Sequence, residues 1–177
     1  IHIISSLLVA IKQGDSKVAS SLLSETLRHP MWNIEPKVLW QMATANFRKT
    51  SWLDYMLESD NEQLQAIAQW LLWVSNQSAS QPLPVLIEYM VGLRAGEHMT
   101  SPLREYFLGQ KGVDTDYMHA LSALRLLNGM VNEFSRTDTG RLEDFVAFIQ
   151  LAIDTGETIA DESMFVSGEN AVELLTV

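Results

Sequence analysis

Four histidines, His2, His29, His98 and His119, are the side chains of this sequence best suited to metal ligation or proton transfer. Zinc hydrolases place two histidines one helical turn apart with a glutamate between them, so that both rings face one ion. That spacing does not occur here, and a shared site would require long-range convergence of the chain. Asp114 and Asp116 form a D-x-D pair. The glycine and closing glutamate of a calcium loop are missing, so helix capping by either aspartate is expected instead. Lys49, Thr50 and Ser51 lack the preceding glycines whose amides would cradle a phosphate, and Ser51 reads as a helix cap. Glu157, Asp161 and Glu162 stand in a polar stretch, without the apolar strand that would set carboxylates beside magnesium. Cysteine is absent, which excludes disulfides, thiolate metal sites and cysteine nucleophiles. The expectation is a stretch with no catalytic residue, no cofactor-binding residue and no metal ligand of its own.

Nucleic-acid contacts are the next chemistry to weigh. Trp32, Trp40, Trp52, Trp70 and Trp73 could stack bases, but their neighbours are mostly apolar or acidic, and core packing or an interdomain face is expected. Lys111-Gly112-Val113 resembles part of the Gly-Val-Gly turn with which some helical hairpins grip a duplex backbone. Lys111 and Gly112 are therefore the candidate contacts, although Asp114 replaces the second glycine and would repel phosphate. The formal net charge of −10, from 22 acidic and 12 basic residues, also works against non-specific attraction to DNA.

These residues must be positioned by helices. Ile3, Ile4, Leu7, Leu8 and Ile11 recur at helical spacing, and Gly14 ends that element. Asp15 or Ser16 can cap a second helix with Val18, Ala19, Leu22, Leu23 and Leu27 on its apolar face. "RHPMWNI" breaks it, because Pro30 cannot continue a helix and biases His29 to an extended backbone. Further helices are expected from Pro36, from Ser51 through Leu57, from Asn61 to Gln77, over Val85 to Arg94, over Leu103 to Leu108, and from about Asp116 to Ser135. "RLEDFVAFIQLAID" places Leu142, Phe145, Val146, Ile149 and Ile153 on one face, the cleanest amphipathic pattern in the chain. No apolar run approaches the roughly 18–20 residues that span a bilayer, and a cytoplasmic protein is expected. The reading is an all-α fold of eight or nine helices. It occupies residues 1–168, and residues 169–177 form a loop and a short apolar strand.

That strand is the residue pattern that points to a family. "AVELLTV" resembles the strand leading into a late motif of the UvrD/Rep helicases of superfamily 1A, which continues Thr-[Val/Ile]-His-x-x-Lys-Gly-Leu-Glu-Phe. Thr176 and Val177 match its first two positions. "VASSLLSETLRHPMWNI" resembles the helix that opens subdomain 2B of that family, and "LPVLIEYMVGL" is similar to a helix in the middle of it. "RLEDFVAFIQLAID" looks like its last helix. The resemblance implies a parent that moves along DNA with 3′-to-5′ polarity, driven by ATP and magnesium held in two RecA-like motor domains. This chain would then be the insertion of the second motor domain, a swivelling regulatory subdomain with the returning strand attached. Its implied partners are DNA through the intact parent, its own motor domains, and an accessory repair or nuclease subunit, with no membrane. In that setting Thr176 would approach nucleic acid. The matching region of an AddA or RecB helicase–nuclease subunit is a close variant, and a stand-alone helical protein-interaction module is the alternative.

Overall fold

The computed structural model describes residues 1–45, 51–96, 99–104, 106, 115–137 and 140–156. Among them the architecture is all-α, with eight α-helices, one short 3-10 turn and no strand. The expected strand in "AVELLTV", the boundary at residue 168 and half of the helix expected over Leu103 to Leu108 lie outside the described residues.

Local chemistry sets the helix ends. α1 (His2–Gln13) closes at Gly14, whose φ of 71° lets its N–H reach back to Ala10 and Ile11 carbonyls. Asp15 then caps α2 (Ser16–Thr26) by accepting from the Val18 N–H. The hairpin lays α2 back along α1 and buries Ile4, Leu7 and Leu8 with Ala19, Leu23 and Leu27. Val18, expected on the inner face, is 47% exposed, because the face that meets α1 centres on Ala19 and Leu23. His29 is extended, and a 3-10 turn follows at Pro30–Trp32.

α3 (Pro36–Ala45) starts on its proline, and Ser51 caps α4 (Trp52–Glu58). α4 sits on α2, where the Trp52 N–H donates to Ser20 Oγ. Asn61 caps α5 (Glu62–Gln77) by accepting from the N–H groups of Gln63 and Leu64. α5 supplies the centre of the core. Leu64, Ile67, Ala68, Trp70, Leu71 and Val74 are all buried, and Ser75 Oγ donates to the Leu8 carbonyl at 3.1 Å. Trp32 meets Trp70 edge-on at 6.0 Å, and Gln63 Nε2 holds the 3-10 turn through the Trp32 carbonyl.

α6 (Leu83–Val91) begins two residues before the expected start, because extended Pro82 can precede a helix and Pro84 fits its first turn. It ends at Gly92, whose φ is 83°. α7 (Thr115–Thr137) packs on α6, and Asp116 therefore lies inside a helix rather than in front of it. α8 (Leu142–Thr155) packs on α1 through a face that includes Leu142, Phe145 and Ala152. Phe134 of α7 touches Phe145, with ring centroids 5.5 Å apart. Ile153 points outward at 57% exposure, so the inner face of α8 is narrower than the periodicity suggests.

Candidate functional site

The hairpin of α1 and α2 brings the first turn of α1 against the last turn of α2, where the chain enters the Pro30–Trp32 turn. A cavity of about 840 Å³ opens at this junction. It gathers His2, Glu25, Thr26, Arg28, His29 and Tyr106 between apolar walls that include Ile3, Ile4, Pro30 and Met31. Two of the four histidines, 27 positions apart in sequence, are thereby brought to one place. Helical periodicity carries no signal for this convergence, because it depends on how Gly14 folds α2 onto α1.

The polar atoms around this junction are unevenly satisfied. His29 Nδ1 accepts from the Met31 N–H at 3.2 Å, which leaves the proton of the neutral ring on Nε2. The His29 ring meets Tyr106 edge-on, with centroids 5.8 Å apart. Thr26 is 4% exposed, and its Oγ1 has no hydrogen-bond partner among the described residues. His2 Nε2 and Ser5 Oγ, one turn apart on α1, are likewise buried without partners among the described residues. Burial pushes the His2 imidazole below its ordinary pKa.

A second feature joins the first helix to the last described one. Lys12 Nζ lies 2.8 Å from Glu143 Oε1, joining the last turn of α1 to the first turn of α8. α8 packs on α1, with its first turn beside the last turn of α1. Burial raises the Glu143 pKa, but the hydrogen bond and charge of Lys12 outweigh it, and the net shift is downward.

Of the residues singled out for chemistry, Lys111, Gly112, Thr176, Lys49, Thr50, His98, Asp114, Glu157, Asp161 and Glu162 lie outside those described. Ser51 performs the capping role expected of it. No group of three or more His, Asp or Glu side chains stands close enough to hold a metal ion among the described residues. Arg94 pairs with Glu88 at 2.8 Å, and Arg104 Nη1 donates to the Gly92 carbonyl at 3.0 Å. Trp32 and Trp70 are core residues, Trp52 and Trp73 are half-buried, and Trp40 is 67% exposed. No described helix is long and apolar enough to cross a membrane. Comparison of the chain with protein-family models, with curated proteins and with solved structures gave no match.

Proposed function

We propose that this chain is a non-catalytic regulatory subdomain of the 2B kind within an ATP-dependent 3′-to-5′ DNA helicase or translocase. The observation that carries this reading is that the segments resembling the family fold, in chain order, as helices of one packed body, in which Lys12 and Glu143 join α1 to α8. A rigid helical body of this kind can swivel as a unit.

The three helical segments that resemble the family support the same reading. They fold as α2 running into the Pro30 turn, as α6, and as α8. ATP and magnesium belong to the motor domains of the parent, and regulation acts through contacts that differ between orientations of the subdomain. The charge of −10 favours contacts with the motor domains or an accessory repair or nuclease subunit over a broad grip on duplex DNA. Contacts to DNA fall to Lys111 and Gly112, and to Thr176 in the intact parent.

The test replaces residues 1–156 of the intact parent with a short flexible linker. The reading expects DNA-stimulated ATP hydrolysis to persist and unwinding to change. A parent that hydrolyses no ATP contradicts it.

A second reading, a stand-alone helical interaction module, draws on Trp40, whose large apolar ring is 67% exposed on α3. Exposed tryptophans are characteristic anchors of protein interfaces. Under that reading, Trp40→Ser abolishes capture of a soluble partner while leaving any motor activity untouched.

A further inference from the structure

α7 is the longest described helix, and its interior contains Asn128-Gly129. Glycine is the poorest helix former after proline, because it has the most backbone freedom to lose. Nothing in the packing of α7 asks for a glycine there. A Cβ at Gly129 would meet no atom within 4 Å, and Gly129 is not among the glycines of positive φ. The side-chain bond that spans it, from Asn132 Nδ2 to Asn128 Oδ1 at 3.0 Å, is exposed and supports the helix weakly.

The two sides of this glycine are held differently. Beyond it, Val131 and Phe134 are buried, and Phe134 meets Phe145 and Phe148 of α8 with ring centroids 5.5 and 5.3 Å away. Before it, Ala123, Arg125 and Asn128 are exposed, while Ser122, Leu124, Leu126 and Leu127 are only half-buried. A segment with few fully buried side chains opens at a lower free energy than the core it adjoins.

We infer that Gly129 is a conformational joint in α7. Residues 122–128 open as one unit, while residues 131–136 stay seated on α8. At the joint the chain leaves the helix with the least loss of intrinsic helix stability, and no side chain of residue 129 is pulled from a contact. The fold thereby holds an element that detaches without global unfolding, the kind from which switching transitions are drawn. The inference rests on α7 and α8 and is independent of the parent's identity.

The experiment is native-state hydrogen exchange of the whole chain, read residue by residue by 1H–15N spectroscopy. The expected result is one shared opening constant for the amides of residues 122–128, and one about tenfold or more smaller for residues 133–136. Phe134→Leu trims the anchored part. It raises opening at residues 133–136 by about fivefold or more and leaves residues 122–128 unchanged. Gly129→Ala adds a methyl group in open space and lowers the opening constant of residues 122–128 by about two- to fivefold. Should Phe134→Leu not fold, the native chain and Gly129→Ala decide. The inference is overturned by a single opening constant across residues 122–136, or by a smooth gradient of end fraying over residues 122–128. An equal response of both parts to Phe134→Leu, or unchanged opening of residues 122–128 in Gly129→Ala, overturns it as well.

Discussion

Lys12 Nζ and Glu143 Oε1 stand 2.8 Å apart across 131 residues of chain, each side chain about one-third exposed. A pair this accessible is screened by water and contributes little energy, about 0.2–1 kcal/mol. Its structural consequence is larger, because it fixes which end of α8 meets which end of α1. A double-mutant cycle of Lys12→Ala and Glu143→Ala, read by urea unfolding, is expected to return a coupling in that range, shrinking as salt is raised.

The same pair makes stability depend on acid. The Glu143 pKa is lower in the folded chain than its ordinary value of 4.5, so the unfolded chain binds the proton more readily. The contribution is fully present above pH 4.5 and is lost as pH falls through the folded value. Unfolding curves of the native chain should therefore lose more stability below pH 4.5 than those of Glu143→Gln.

His2 sets a second acidic window at higher pH. Its folded pKa also lies below the ordinary 6.5, so protonation favours the unfolded chain. Stability is intact above pH 6.5 and is lost as pH falls from there through the folded value. His2→Gln removes that slope, which thermal melts between neutral and mildly acidic pH will register.

The glycines that end α1 and α6 differ in what surrounds them. Gly14 has φ 71° with open space where a side chain would stand, whereas a Cβ at Gly92 would meet the Arg104 Cβ at 2.7 Å. Gly14→Ala is expected to cost about 1–2 kcal/mol for its left-handed backbone alone. Gly92→Ala costs more, since it adds a clash to the same strain. Denaturant midpoints of the two variants give the comparison.

Packing on the α5 axis is the largest single contribution to test. Leu8 is fully buried and shares the core with Leu71 and Val74. Leu8→Ala is expected to cost about 2–5 kcal/mol and lower Tm by roughly 2–4 °C for each kcal/mol. Val18→Ala, at a 47% exposed position, changes stability by no more than about 0.5 kcal/mol.

The helix ends were legible because their causes are local. Asp15, Ser51 and Asn61 each accept from an N–H two or three residues ahead, and Gly14 and Pro36 act through their own backbones. Which flank of a helix meets a neighbour is not local. Val18 and Ile153 fit the apolar period and still face outward, because the partner helix covers only part of the stripe. The cavity was invisible for the same reason. His2, Thr26 and His29 meet only after the α1–α2 turn has closed. The candidate DNA contacts Lys111, Gly112 and Thr176 rested on resemblance rather than on any pattern that packing could bear out.

The most direct measurement of the central claim is the coding sequence of the source gene over about fifteen codons beyond Val177, where the family's motif has its place. The account predicts His-x-x-Lys-Gly-Leu-Glu immediately after Thr176 and Val177, the motif that leads into a motor domain of that family. A stop codon or unrelated sequence there would contradict the helicase assignment and leave the interaction module as the better reading.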